Sequence, residues 1–328
     1  MNKSQWTTVN RQQSPFGCTH REASLLTVDC CLLTKKNMKE KITLALLTFA
    51  LKAIAIWPYG VLYVLSSLIY PIVYYVVGYR RKVVHNNLVN SFPEKSEKEI
   101  REIEKKFYRH FCDYVLETVK LMHISDEEMR RRLRFTNPEL IEQLRGDGKP
   151  FFVYLGHQCN WEYVISITMW THPDLAACQI YHPLSNKAMD KLLYRMRSRF
   201  NSVGIPQKQT LRAILTMVRE GKQPLLGLIA DQRPQRRPEP EWMEFLNQDT
   251  AIITGGEVMG VKLGAHFIYG SMRCVRRGYY EITLHPIEPI EGEEFSYSKQ
   301  YMRMLEQDIK AQPHMWLWTH KRWKWKRS

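Results

Sequence analysis

Cysteine is sparse and badly placed for stapling: seven in 328 residues, scattered, with no C-x2-C pair. That pattern points to neither a zinc site nor a disulfide framework and suits a reducing compartment. Residues 1–37 lack an apolar run of signal-peptide length, and Asp29 directly before Cys30 argues against a lipoprotein cleavage site. Met38-Lys39-Glu40-Lys41 reads as a better start, so residues 1–37 are expected to be a polar extension, disordered or outside the true gene. Acidic residues are also short in supply, 33 against 48 Lys and Arg, which leaves a formal charge of +15. Such a chain attracts anionic partners: nucleic acid, acidic headgroups or an acidic protein. No internal repeat is present, which excludes solenoid and propeller architectures.

Charge is absent in one place above all. Between Ile42 and Gly78 only Lys52 is charged, and Trp57-Pro58 divides the stretch, leaving twenty uncharged residues from Tyr59 to Gly78. That length can cross a bilayer, and its tyrosines sit near both ends. Lys35, Lys36, Lys39 and Lys41 flank one side, Arg80, Arg81 and Lys82 the other, so charge selects no orientation. Residues 38–80 are expected to form a membrane-anchoring helix or a hairpin about Pro58. A buried helical hairpin of a soluble domain is the plain alternative.

The remainder, residues 81–328, is organised around Phe151-Phe152-Val153-Tyr154-Leu155-Gly156-His157. Five consecutive apolar residues predict a strand buried on both faces. Gly156 lets the backbone turn, His157 projects from that turn, and Asn160 is a plausible cap for a helix over Trp161–Trp170. His157 and Glu162 are five apart, so they meet only if one lies in the turn and the other in the first helical turn. That arrangement makes an oriented general base. The plain alternative is a loop histidine beside a glutamate favoured by the helix dipole.

Before this strand, a basic helix over Arg80–Glu94 ends near Pro93, Ser96 and Glu99 form a capping box, and an amphipathic helix runs to about His123. A short helix starts at Asp126. After the strand come a second over Asp174–Tyr181, a basic helix over Lys187–Phe200 carrying Lys187, Lys191, Arg195, Arg197 and Arg199, and a helix over Leu211–Arg219. A third strand, Pro224–Ala230, ends in Asp231-Gln232-Arg233-Pro234, which places Asp231 and His157 at one rim of a sheet. Gln235–Glu244 reads as a loop. A helix beginning after Ile252, strands over Ala265–Met272 and Tyr279–Pro286, and a helix over Ser298–Gln312 follow. The tail interleaves Trp316, Trp318, Trp323 and Trp325 with Lys and Arg, which suits a membrane interface or stacking on single-stranded nucleic acid.

Taken together and in order, these pieces resemble the late lipid A acyltransferases (lauroyl- and myristoyl-transferases), within the wider H-x4-D/E acyltransferases. The resemblance spans roughly Met38 to Lys326. It rests on the apolar segment, Arg81-Lys82-Val83 through Phe92-Pro93-Glu94, His157-x4-Glu162, Asp231-Gln232, and Pro313 through Trp316-Leu317-Trp318 to Trp323. Asp-Gln-x-Pro and Phe-Leu-Asn-Gln-Asp-Thr look like members from Bacteroides-type bacteria. The resemblance implies an α/β fold of the glycerolipid-acyltransferase kind, with a mixed, largely parallel sheet flanked by helices. It implies an O-acyltransferase of the bacterial inner membrane, with its active site facing the cytoplasm. An acyl chain would pass from acyl carrier protein to a hydroxyl of a lipid A precursor, without metal or cofactor. His157 would be the base and Glu162 its orienter, with Asn160, His182, Arg199, Asp231, Gln232 and Arg233 as substrate-binding positions. Arg199 is also a candidate oxyanion donor by position. One departure is Tyr181-His182-Pro183, where the family often has Tyr-Arg-Pro.

Four rivals stay open, one of them a catalytically silent membrane scaffold. The same chemistry could serve another acceptor, an aminolipid or phospholipid. Cys159 could be a nucleophile, although it lies awkwardly close to His157 in sequence. A membrane-tethered nucleic-acid-binding protein would use the charge and the Trp-Lys tail but leave His157, Glu162 and Asp231 without roles. Acyl carrier protein, a membrane lipid and an anionic bilayer are the expected partners, rather than nucleic acid.

Overall fold

Nine strands form: β1 (Leu133–Phe135), β2 (Phe151–Leu155), β3 (Leu175–Tyr181), β4 (Val203–Pro206), β5 (Gln223–Ile229), β6 (Trp242–Phe245), β7 (Gln248–Ala251), β8 (His266–Arg276) and β9 (Tyr279–Pro286). These come from a computed structural model that describes residues 45, 48–184, 186–235 and 240–327, so the expected extension over residues 1–37 lies outside them. The helices are α1 (Tyr59–Pro71), α2 (Arg81–Ser91), α3 (Glu97–Lys120), α4 (Asp126–Arg132), α5 (Glu139–Leu144), α6 (Lys187–Arg197), α7 (Thr210–Arg219), α8 (Gly255–Lys262) and α9 (Ser296–Ala311).

Seven strands make one sheet in the order β1-β9-β8-β2-β5-β3-β4, with every neighbouring pair parallel except β8–β9. The mixed, largely parallel α/β sheet is the one expected. All five residues of β2 are buried. Phe152 and Tyr154 enter the core on one face with Leu226, Phe267 and Leu305. Phe151, Val153 and Leu155 enter the other with Leu225, Ile268 and Ile282. A strand with a core on each side has no polar face, which is why it reads as an unbroken apolar run. The capping box forms: the Ser96 hydroxyl accepts from the Glu99 amide, and the Glu99 carboxylate accepts from the Ser96 amide.

Three local expectations change. Trp161–Met169 is a 3-10 helix rather than an α-helix, and Asn160 makes no side-chain cap. Gly156 is required by close approach rather than by a left-handed turn, because a Cβ there would collide with Leu305. The left-handed residue is Cys159, at φ 54. The segment expected to be a loop and lead-in holds the β6–β7 hairpin, turned by Leu246 and Asn247, both with positive φ. Such a turn matches the twist of the flanking strands.

The apolar segment is one helix in two parts: α1, then a π-helical stretch Ile72–Val77 after Pro71, closed by Gly78 at φ 60. By length and composition it is long and apolar enough to cross a membrane. Tyr59, Leu62, Ser66, Tyr70 and Tyr74 form a buried stripe. The Tyr63 hydroxyl donates to Glu117 (2.9 Å) and Ser66 to Asp113 (2.6 Å), both on α3. Val61, Val64, Leu68, Ile72 and Val76 are exposed on the other side. Just upstream, Lys120 Nζ donates to the carbonyls of Ala55 (2.8 Å) and Trp57 (2.8 Å), where Pro58 interrupts the chain.

Candidate active site

Strand register builds the site. Leu155 at the end of β2 is paired with Ile229 at the end of parallel β5. Each strand runs on by two residues, so His157 and Asp231 stand side by side at the carboxyl rim. His157 Nδ1 lies 2.5 Å from Asp231 Oδ1, and the His157 backbone N–H donates to Asp231 Oδ2 (2.8 Å). Trp316 Nε1 donates to the same Oδ2 (2.7 Å). The C-terminal chain supplies Trp316 by pairing with the turn: Cys159 N–H donates to Met315 O and Leu317 N–H to His157 O.

Asp231 is fully buried, whereas the His157 side chain keeps 18% exposure. Burial pushes the Asp231 carboxyl up, but the adjacent imidazole and the hydrogen bonds from His157 and Trp316 outweigh it and hold the group below its ordinary value. A carboxylate at Nδ1 places the ring proton there and makes Nε2 the acceptor. Gln232 Nε2 sits 3.2 Å from His157 Nε2. Trp161 packs edge-to-face against the imidazole with ring centroids 5.1 Å apart. An imidazole held in that tautomer can take a proton from a hydroxyl that replaces the Gln232 amide at Nε2.

The expected His157–Glu162 contact is not made. Glu162 accepts from Arg197 Nε (2.9 Å) and Nη2 (2.5 Å), a forked pair that ties the 3-10 segment to α6. The left-handed Cys159 and the tighter 3-10 winding send the glutamate inward, while the neighbouring strand delivers Asp231 to the imidazole. Asn160 is buried and donates from Nδ2 to Glu117 Oε2 (2.8 Å), so it supports the wall behind the turn. Arg199 donates to the carbonyls of Leu121 (2.8 Å) and Ile124 (2.6 Å), which occupies the guanidinium expected at an oxyanion. His182 follows β3 at the same rim, exposed, with Nδ1 against the carbonyl of Pro183. Arg233 lies over the Trp325 ring, 5.3 Å from its centroid. Of the expected site residues, the structure therefore brings His157, Asp231 and Gln232 together.

Two basic side chains that feel the charge of Asp231, Arg322 and His320, were not singled out by spacing. Arg322 is buried, donates to Ala251 O, and is lowered to about 10 by burial, partly offset by Asp231. His320 is lowered to about 4 by burial, with Arg322 and Arg233 adding to the effect. Cys159 is fully buried and burial pushes its thiol well up, so it is no thiolate nucleophile. Among the described residues no group of three or more His, Cys, Asp or Glu is placed to hold a metal ion.

Behind the turn, Glu117 accepts from Tyr63, Asn160 and Tyr280, yet burial raises it from 4.5 to about 7. The folded protein holds this proton where the unfolded chain has released it. Stability is therefore greatest below pH 4.5 in this respect, falls as pH rises to about 7, and is level above. Glu117→Gln should flatten that part of the curve, read as melting temperature in detergent from pH 5 to 8. An unchanged slope would assign the pH dependence to other groups.

A family model of bacterial lipid A biosynthesis acyltransferases matches residues 33–325. The chain belongs to that family. Among curated proteins, the acyltransferase is 22% identical over 281 residues to the lipid A biosynthesis palmitoleoyltransferase of Escherichia coli K12. It matches the lipid A biosynthesis acyltransferase of Shigella flexneri to the same extent, and each alignment covers 84% of this chain and 90% of the relative. The acyltransferase thus shares nearly the full length of both relatives, and the family match takes in the His157 turn, β5 and the C-terminal chain to residue 325.

Proposed function

We propose that this acyltransferase moves a fatty acyl chain from acyl carrier protein to a hydroxyl of a lipid A precursor. The observation that carries this reading is the His157–Asp231 pair at the carboxyl rim of β2 and β5, with Nδ1 on the carboxylate and Nε2 turned to the Gln232 amide. His157 Nε2 takes the acceptor hydroxyl proton as the oxygen attacks the thioester carbonyl. Asp231 holds the ring and stabilises the imidazolium that forms. The tetrahedral oxyanion needs N–H donors, and the Gln232 amide becomes free to serve once the acceptor hydroxyl replaces it at His157 Nε2. Collapse breaks the C–S bond, and the departing thiolate recovers the proton from the imidazolium. Lipid A mass spectrometry of a deletion strain tests it: one secondary acyl chain should be missing. An unaltered lipid A with a changed aminolipid or phospholipid would transfer the same chemistry to another acceptor, a reading favoured by exposed His182 at the rim where the family often has arginine.

The donor's acidic surface suits the excess positive charge. Arg197 at the end of α6 and Arg199 just beyond it are spent inside the fold, while Lys191 and Arg195 on α6 are exposed one turn apart. The Lys187 side chain lies outside the described residues. Lys191→Glu with Arg195→Glu should raise KM for acyl carrier protein about tenfold at low salt with kcat unchanged, and high salt should mimic the change in the parent. A normal KM would make this helix a solvated face.

We also place the enzyme at the cytoplasmic face of the bacterial inner membrane, held by residues 38–80, with residues 81–328 as the acyltransferase domain. Support comes from the exposed apolar side of the helix Tyr59–Val77, where Val64 and Leu68 are each 63% exposed. Because its other side is bonded into the domain, deleting the helix would remove core as well as anchor. Val64→Glu with Leu68→Glu is the cleaner variant: vesicle flotation should be lost while the melting temperature stays within about 2 °C. Continued flotation would put the anchor elsewhere.

A further inference from the structure

A sizeable cavity lies apart from the dyad, with neither His157 nor Asp231 in its lining. It measures about 490 Å³ and lies between α1, α3, the β8–β9 turn and the C-terminal chain. Lys106, Arg109, His110 and Asp113 line it from α3 at spacings of three and four, so one helical stripe faces in. Arg277 enters from the hairpin turn. Three cations thus meet one carboxylate.

That carboxylate is already taken. Asp113 accepts from Arg277 Nη2 (2.6 Å) and Nε (2.8 Å) and from Ser66. Lys106 makes no ion pair among the described residues, and Arg109 meets only the Tyr70 ring, 5.1 Å from its centroid. The two histidines add no charge at neutral pH: burial lowers His110 to about 4 and also lowers His314. The cavity therefore carries two positive charges with no internal counter-charge.

Its position supplies the rest. Ser66, Ser67 and Tyr70 of α1 form one wall, on the helix whose opposite side is exposed and apolar. The floor touches the catalytic turn, because His110 Nε2 lies 3.1 Å from Cys159 O and Met315 O accepts from Cys159 N–H (2.8 Å). His110 and Met315 also line a narrow cleft with Trp161 and Trp316, the two indoles that contact His157 and Asp231. The cationic cavity is one layer of residues from the dyad.

We propose that this cavity is a binding site for the phosphomonoester of a membrane lipid headgroup, held by Lys106 and Arg109 with the unpartnered Tyr70 hydroxyl as a neutral donor. A phosphate needs compact positive charge and hydroxyl donors, and the cavity offers both. The lipid source follows from the α1 wall, since acyl chains of the same molecule can lie along the apolar side of that helix. The proposal deepens the acyltransferase reading, because a phosphate seated here would bring an acceptor's hydroxyl toward His157.

The test separates the two ideas by measuring binding without turnover. In a His157→Ala background, Lys106→Glu with Arg109→Glu should lose at least tenfold in affinity for vesicles of phosphatidylcholine with phosphatidate. Affinity for phosphatidylcholine alone should not change. Lys98→Glu with Lys105→Glu, the same charge change on the same helix outside the cavity, is the control and should lose less than twofold. Glycerol 3-phosphate at millimolar concentration should not compete. In the catalytic background, the cavity variant should raise KM for a phosphorylated acceptor, leave KM for a dephosphorylated one, and leave kcat. Equal losses in both charge variants would reduce the effect to general electrostatics and overturn the site. Competition by glycerol 3-phosphate at the lipid's own affinity would overturn the lipid assignment. A raised KM for acyl carrier protein alone would give the cavity to the donor. Loss of vesicle binding with no acyl transfer by the parent enzyme would keep the site and remove the proposed reaction.

Discussion

His157→Ala should lower the rate of acyl transfer roughly 10³-fold in a protein that stays folded but melts somewhat earlier, because it removes the base and one partner of the buried Asp231 carboxylate. Asp231→Asn should cost a similar factor, on the order of 10²–10⁴, since an amide can reverse the proton placement on Nδ1. Asp231 also accepts the backbone N–H of His157 and the Trp316 N–H, so Asn there lowers stability as well. Glu162→Gln should behave differently. It weakens the pair with Arg197, lowers the melting temperature, and slows transfer only about tenfold by loosening Trp161 beside the imidazole. Steady-state rates and melts on the same preparations decide this. A Glu162→Gln enzyme as slow as Asp231→Asn, with an unchanged melt, would return the orienting role to Glu162.

Trp318→Ala should be the most damaging change outside the site, at about 3–5 kcal/mol. The side chain is fully buried, meets Trp316 edge-to-face at 4.8 Å between centroids, and donates from Nε1 to Pro313 O. Its carbonyl accepts from Asn87 on α2, which pins the chain end to the domain. The tail read from sequence as a membrane-interface ribbon is therefore largely internal. Trp316 and Trp318 are buried, Trp323 donates to Thr250, and Trp325 stacks with Arg233. The same burial removes Trp316 and Trp318 as platforms for nucleic-acid bases. Truncation after Gln312 should leave an unfolded protein rather than a soluble enzyme. Trp318→Ala with a normal melt and lost flotation would restore the interface role.

The chain's periodicities carried the architecture. Unbroken apolar runs marked β2 and β5 because both lie inside a parallel sheet, and the Ser96–Glu99 box marked the start of α3 because capping is local. Strand endings in His157 and Asp231 located the rim. Strands β1 and β4, three and four residues long, are too short to show a period, and the β6–β7 hairpin turned on Leu246-Asn247 without a glycine. What the one-dimensional pattern could not determine was which carboxylate reaches His157. Spacing favoured Glu162, five residues away, whereas the pairing of Leu155 with Ile229 delivered Asp231 from 74 residues away. The fates of Arg197, Arg199 and Trp316 follow the same rule. A charged or amphipathic side chain looks alike in sequence whether it faces solvent or a partner, and only the packing of distant segments supplies the partner that makes its burial favourable.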